Sequence, residues 1–196
     1  MEGIQEEKLS QKILIIVGDG GESFETWFAK HRFEEAGFKV VVAAPEKRRL
    51  HLVIHDFEPG WDTYKERSGY VMASDITFEQ VDVKDYFAVV CIGGRSPEYL
   101  RNNPRVIAIL QEFDKLEKWI WALCHGVQLP AAAGLVKGKR VTCYEHVRLE
   151  VETCGGTYVK EKAVRDGRLV TCPTWVEHPE FYQLVFQCIA ESAAKK

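Results

Sequence analysis

The 196-residue sequence predicts an α/β protein, with helices on both faces of a mostly parallel central sheet in a three-layer sandwich. Three observations carry that expectation. Apolar, β-branched runs of five or six residues recur, at "KILIIV", "KVVVAA", "YFAVVC" and "WIWAL". Each is too continuous to be a strand with one face in water. Segments of helical periodicity separate them. The first strand, helix and strand close within about 33 residues, the length of a βαβ unit, which requires parallel pairing.

The elements follow in order. "KILIIVGDG" (12–20) is a buried strand closed by Gly and Asp. "SFETWFAKHRFEEAGF" (23–38) is a helix whose Phe24, Trp27, Phe28, His31, Phe33 and Ala36 lie mostly on one face, with Gly37 as its stop. "KVVVAAP" (39–45) is a second buried strand, ended by Pro45. Residues 46–70 are polar, aromatic and irregular, and hold either a small hairpin or an excursion over the surface. A short strand is expected within 71–81, and a buried strand over 86–94, broken by a glycine pair. Within 96–118, Pro97 suits a helix first turn, Pro104 restarts or kinks the segment, and Val106, Ile109, Leu110 and Phe113 keep helical spacing. A strand (119–124), a helix (125–136), a strand (140–144) and a short glycine-capped helix (146–156) come next. Two strand-like runs in 157–172 flank the turn signal Asp166-Gly167, and an amphipathic helix (178–196) closes the chain. The polar residues 1–11 read as an N-terminal arm, leaving 12–196 as one domain.

Composition narrows the function. A net charge of −3 offers no surface for nucleic acid or an anionic membrane. No apolar run reaches membrane-spanning length, and the polar, acidic start is unlike a secretory signal. Six scattered cysteines without a CxxC pair do not make a disulfide framework, so a reducing cytoplasm fits best. His51 and His55 are four apart but outside any helical pattern, and nothing calls for a metal or an organic cofactor.

The chemistry centres on "WIWALCHGVQL" (119–129), where an apolar run ends in Cys124-His125-Gly126. Ligands of such sheets sit beyond the carboxyl ends of the strands. Three sites fall there: Gly18 to Glu25, Gly93-Gly94, and Cys124-His125. A cysteine at a strand-to-helix turn lies near helix amides, which favour the thiolate. The amides of His125 and Gly94 are placed to form an oxyanion hole.

At this point the motifs resemble a family. "ALCHGVQLPAAAGLVKGKRVT" is similar to the reactive-cysteine turn of the DJ-1/PfpI superfamily, within the class I glutamine amidotransferase-like fold. "CIGGRSPEYL" resembles its Gly-Gly-Arg-x-Pro-Glu segment, and "GDGGESFETW" its acidic loop after the first strand. "HDFEPGWDTYKERSGY" and "HPEFYQLV" resemble the glyoxalase III-like branch. The resemblance spans about residues 12–190 and implies a flavodoxin-like sandwich, a homodimer or larger assembly, and a set of roles. Cys124 matches the reactive cysteine, Glu25 the carboxyl group beside its sulfur, and His125 the adjoining histidine. Glu98 matches an acid that in oligomeric relatives reaches a neighbouring subunit's Cys-His pair; a helix N-terminal acid is its plain alternative. Glu22 and Gly93 are secondary candidates, Glu22 reading more simply as an exposed loop acid. His178 is another, with capping or packing as its simpler reading.

Three functions compete. The first is a glyoxalase III-like enzyme converting 2-oxoaldehydes such as methylglyoxal to hydroxy acids, with protein deglycase activity through the same thiol. The second is a PfpI-type intracellular cysteine peptidase using Cys124, His125 and Glu98. The third is a redox-sensing or chaperone-like stress protein whose thiol is oxidised to a sulfinic acid.

Overall fold

The computed structural model describes residues 11–194, so the arm expected over 1–11 lies, apart from Gln11, outside the described residues. In chain order the elements are β1 (Lys12–Ile16), α1 (Ser23–Glu35), β2 (Lys39–Ala44), β3 (Arg49–Asp56), β4 (Lys65–Ala73), β5 (Ile76–Thr77), β6 (Tyr86–Cys91), α2 (Ser96–Leu100) and α3 (Pro104–Lys115). They continue with β7 (Trp119–Leu123), α4 (Gln128–Ala132), β8 (Arg140–Val141), α5 (Arg148–Thr153), β9 (Thr157–Tyr158), β10 (Val164–Asp166), β11 (Leu169–Cys172) and α6 (His178–Ala194).

Seven strands make one sheet in the order β10-β11-β7-β6-β1-β2-β5. All neighbours pair in parallel except β10 with β11, which meet antiparallel through the Asp166-Gly167 turn. Side-chain alternation along β1 divides the core. Ile13 and Ile15 point to the face covered by α1 and α6, where Phe33, Phe181 and Val185 are buried. Leu14 and Ile16 point to the opposite face, where α3 and α5 supply Ile109, Phe113 and Val151. Both faces of the central strands are therefore dry, as their continuous apolar runs require. Trp121 on β7 is fully buried and stacks on Phe33 of α1 at 5.2 Å.

Several elements differ from expectation for identifiable reasons. The segment 46–70 takes the hairpin form, one of the two expected for it, but β4 runs on to Ala73 and the register shifts between His51 and Val53. The helix expected over 125–136 is a 3-10 turn over Cys124–Val127 followed by the five-residue α4. The strand expected over 140–144 shrinks to β8, which pairs with β9 outside the main sheet. On α1 the expected face meets the sheet only in part: Phe33 is buried and Trp27, Phe28 and Ala36 are half-buried against the core, whereas Phe24 is 47% exposed and Ser23, Glu25, Thr26 and Ala29 are the other inward residues. The inward side of its first turn holds a carboxyl group and small residues where apolar bulk was expected.

The loops after β1, β6 and β7 meet at one edge of the sheet. Gly21 and Gly94 form a bridge there, with Arg95 N donating to Gly20 O at 2.6 Å and Glu22 N to Gly93 O at 3.2 Å. A Cβ on Gly94 would lie 2.3 Å from Gly20 O, so only glycine permits that approach. The hairpin docks on the same loops, Gly20 N donating to His51 O at 2.8 Å and Val53 N to Gly21 O at 2.9 Å.

Candidate active site

Cys124 ends β7 with φ of 54°, a left-handed conformation that costs a side-chain-bearing residue roughly 1–2 kcal/mol. The turn is held tight because Gly126 presses against β6: a Cβ there would sit 2.1 Å from Cys91 O. The strained turn lifts the cysteine out of the strand ladder toward the meeting point of the three loops.

Two partners await the sulfur. His125 Nδ1 lies 3.3 Å from Cys124 Sγ. Glu25, in the first turn of α1, is fully buried; its Oε2 accepts the Gly93 amide at 2.7 Å. Its Oε1 has no hydrogen-bond partner within normal oxygen or nitrogen reach. Gly93 fits between these groups only because it lacks a side chain, since a Cβ would lie 2.7 Å from both Cys124 Cβ and Glu25 Oε2. Glu22 is buried as well, contrary to the exposed loop acid expected. It caps α1, Oε2 accepting the Glu25 amide at 2.6 Å, and its Oε1 faces the His55 amide at 3.5 Å.

Burial dominates the electrostatics. It pushes the Glu25 carboxyl well above the ordinary carboxylate range, with the charge of Glu22 adding to the effect. It raises Glu22 to about 7. It also pushes the Cys124 thiol up, reinforced by Glu25 and opposed by the His125 amide. The His125 amide does act to lower it, but the thiolate expected from the sequence is not what the folded site favours. A 3-10 turn followed by a five-residue helix supplies too little dipole to outweigh desolvation. The resting pair is a carboxylic acid beside a thiol, able to share a proton. Burial holds His125 down to about 4, so its ring is neutral and can accept.

The hairpin and the neighbouring loops build the outer wall, and the sequence did not place these residues at the site. His55, buried on β3, stacks on Tyr64 at 3.6 Å, and its Nε2 meets Glu66 Oε2 at 3.1 Å. Arg95, next to Gly94, donates to the same Glu66 oxygen at 2.5 Å and so ties β4 to the glycine loop. Tyr144 lies over His125 with ring centres 4.9 Å apart, and its hydroxyl meets Thr63 Oγ1 at 2.9 Å. Trp175 Nε1 donates to His55 O at 2.9 Å. Under this cover Cys124 is 1% exposed. The one available signal was the aromatic content of the hairpin tip, in a segment the topology places at the carboxyl edge.

The remaining candidates separate. Gly94 sits in the non-hydrogen-bonded position of its bridge, which turns its own amide away from Gly21. Glu98 is exposed in the first turn of α2, with no hydrogen bond to Cys124 or His125. His178 starts α6 in an aromatic cluster, 4.8 Å from Phe28 and 5.3 Å from Phe24 between ring centres, away from the thiol turn. His51 is exposed on β3 and does not pair with His55. Among the described residues no group of three or more His, Cys, Asp or Glu side chains is placed to hold a metal. None of their helices is long and apolar enough to cross a membrane.

Comparison with known proteins identifies the family and the fold. The sequence profile of the DJ-1/PfpI family matches residues 11–187. Protein DJ-1 homolog D of Arabidopsis thaliana is 38% identical over 179 residues, covering 88% of this chain and 46% of that protein. The chain thus spans about half the length of that curated relative. A deglycase of Thermococcus kodakarensis is 32% identical over 160 residues, covering 82% of this chain and 88% of that protein. Among solved structures, a ThiJ/PfpI domain protein from Brachyspira murdochii superposes with a TM-score of 0.78 at 21% identity, covering 93% of this chain and 97% of that one. DJ-1 of Schizosaccharomyces pombe gives 0.73 at 21% identity, covering 90% of each chain.

Proposed function

The chain belongs to the DJ-1/PfpI family, and on that premise we propose that it is a cysteine-dependent enzyme of the glyoxalase III type. It converts 2-oxoaldehydes such as methylglyoxal to 2-hydroxy acids without glutathione, and removes the same aldehyde from proteins as a deglycase. The relatives named as deglycases support aldehyde-adduct chemistry in general. The observation that carries the finer reading is the pairing of a strained Cys124 with a neutral histidine nitrogen 3.3 Å from its sulfur and a buried, protonated Glu25 beside it.

In this reading the Cys124 sulfur adds to the aldehyde carbon while its proton passes to His125 Nδ1. The alkoxide meets the amides of Gly94 and His125 and takes the proton back. Neutral His125 takes the hydrogen of that carbon as a proton, giving an enediolate; Glu25 gives its own proton to the neighbouring carbon while the hydroxyl proton moves between the two oxygens to leave a thioester, and the imidazolium then returns a proton to Glu25. Water then cleaves the thioester, releasing the hydroxy acid and restoring the thiol. The test is lactate formation from methylglyoxal in glutathione-free buffer. The parent protein forms lactate and Cys124→Ala does not; equal rates would reject the reading.

No observation favours the alternatives over it. The peptidase reading needs Glu98 to reach the Cys-His pair of a neighbouring subunit; within the chain Glu98 is exposed and makes no hydrogen bond to its own pair, which adds no support of its own. The sensor reading needs a resting thiolate, whereas burial pushes the Cys124 thiol up.

A further inference from the structure

Tyr144 borders two spaces. Its ring lies over the His125 ring, 4.9 Å away between centres, and helps to cover the thiol. The same residue forms a wall of a cavity of about 370 Å³, a volume in the range of sites for small organic groups. Cys124, His125, Glu25 and Tyr64 do not line that cavity, so Tyr144 is the boundary that it shares with the thiol site.

The topology puts the cavity where a group attached to the reacting carbons would extend. Thr142 and Tyr144 follow β8, and Pro173 and Thr174 follow β11; all four are among its walls. β11 pairs in parallel with β7, Cys172 opposite Leu123, so the carboxyl end of β11 lies beside the Cys124 turn. Ligands of parallel sheets occupy this edge. The walls are graded in depth. Lys160 and Glu145 are exposed and mark the solvent mouth. Thr142 is 0% and Tyr144 5% exposed, and they form the inner end. That end carries no formal charge, because Cys143 beside them is held as a thiol, pushed up to about 12 by burial. Phe57 and Tyr158 add two more aromatic side chains to the walls. An uncharged inner end with aromatic walls suits a planar apolar group.

In the proposed reaction the sulfur adds to the aldehyde carbon. The substituent on the neighbouring ketone carbon makes and breaks no bond, so it needs only room. A methyl group needs little. A larger group needs space beyond the cover of the thiol, and the cavity across Tyr144 supplies it. The ring is kept in place by the bond from its hydroxyl to Thr63 Oγ1 at 2.9 Å and by edge and tilted contacts with His146 at 5.0 Å and Phe57 at 5.9 Å.

We propose that Tyr144 is the size-determining residue of the site: its ring partitions the Cys-His pair from this cavity, and the cavity takes a planar, uncharged substituent of a 2-oxoaldehyde when the ring is removed or turned aside. This inference rests on the 2-oxoaldehyde reading and adds a determinant of which 2-oxoaldehydes are used.

The test compares kcat/KM for phenylglyoxal with that for methylglyoxal, as a ratio, so that a general loss of catalysis cancels. Tyr144→Ala is expected to raise the ratio at least fivefold. Tyr144→Phe keeps the ring and loses only its bond to Thr63, and is expected to hold the ratio within twofold. Tyr64→Ala controls for a general loosening of the cover. Tyr64 also meets His125, at 5.6 Å, but does not line the cavity, so its ratio is expected to stay within twofold. An unchanged ratio in Tyr144→Ala, or an equal rise in Tyr64→Ala or Tyr144→Phe, overturns the proposal. A second arm does not depend on turnover. Cys124 is alkylated with iodoacetamide and with its N-phenyl derivative, and the ratio of the two rates is expected to follow the same pattern across the variants. If no variant turns over either aldehyde but this ratio rises in Tyr144→Ala alone, the glyoxalase reading fails and the partition stands. If the labelling ratio does not rise, the partition fails whatever the turnover. Should thermal unfolding show that Tyr144→Ala is not folded, Tyr144→Leu takes its place, with a rise of at least threefold expected in both arms.

Discussion

Glu25 Oε2 accepts the backbone amide of Gly93 at 2.7 Å, and this bond fixes a buried carboxyl group beside the Cys124 thiol. The carboxyl comes from the first turn of a helix and the amide from the loop after β6, so the sheet itself sets their spacing. A neutral acid held this way can donate to sulfur and can also move a proton. Glu25→Gln separates the two abilities, because an amide still accepts from Gly93 and still donates but cannot shuttle. The expected outcome is a fall in kcat for lactate formation of about 10²–10⁴-fold, with thermal stability close to the parent's. Retained turnover would remove Glu25 from proton transfer.

Gly93 carries a second prediction. Its missing side chain is the space in which Cys124 and Glu25 meet, and a Cβ would stand 2.7 Å from each. Neither neighbour is a flexible surface group, so the clash falls on the nucleophile or on the acid. Gly93→Ala is expected to destabilise the protein by about 1–3 kcal/mol, the usual cost of overpacking, and to lose most turnover. Chemical denaturation and lactate assays measure the two effects. An active, equally stable Gly93→Ala protein would show that the three groups are not in contact during the reaction.

Much of this arrangement was legible in the residues. The strands of the parallel sheet were visible because both of their faces are buried, leaving unbroken apolar runs such as Ile13 to Ile16. Cys124 was visible because a polar, chemically reactive pair interrupts such a run where a turn must follow. The face of α1 was misread for a related reason. Phe24 and Phe28 have the spacing of a core stripe, yet the helix turns Ser23, Glu25 and Thr26 inward, because its first turn builds a site instead of a core. The hairpin wall was illegible because its order comes from long-range bonds such as Arg95 to Glu66 and Trp175 to His55, which leave no local periodicity. Glu22 looked like a loop acid because only the folded hairpin buries it.

The cover over the thiol gives a kinetic prediction. Cys124 is 1% exposed beneath Tyr144 and Tyr64, so a reagent reaches it only when the hairpin tip moves. Tyr64→Ala removes the ring that stacks on His55 at 3.6 Å and edges His125 at 5.6 Å. Alkylation of Cys124 by iodoacetamide, followed peptide by peptide in a mass spectrometer, is expected to be at least several-fold faster in Tyr64→Ala. The fully buried Cys91 serves as an internal control and stays protected. Equal labelling rates at Cys124 would mean that the hairpin does not limit access.

His125 predicts a pH profile. Its folded pKa of about 4 lies below the ordinary 6.5, because burial disfavours the imidazolium. The ring therefore remains a competent acceptor through pH 5 and 6. The acid limb of kcat/KM for methylglyoxal is expected near pH 4. A limb near 6.5 would show that the ring is solvated in the working enzyme and that the wall opens before chemistry.

Glu22 makes a prediction about stability whose sign can be worked through. Its carboxyl is raised from 4.5 to about 7, chiefly by burial. Between those values the unfolded chain has released a proton that the folded chain keeps, so this contribution is full below pH 4.5 and is lost as pH rises through 7. His125 and His178 act in the opposite sense. Burial lowers both from 6.5 to about 4, so their contribution is full above 6.5 and is lost as pH falls through 4. The parent's own profile mixes the two trends, and a difference measurement separates them. Glu22→Gln keeps an acceptor for the Glu25 amide and removes the titration. Urea denaturation at pH 4.5, 6 and 7.5 is expected to show the parent gaining on Glu22→Gln as pH falls. At pH 7.5 the parent carries a buried charge that the variant lacks, and the variant matches or exceeds it. A stability difference that stays constant across the three pH values would show that folding does not raise the Glu22 carboxyl and that its burial is relieved in solution.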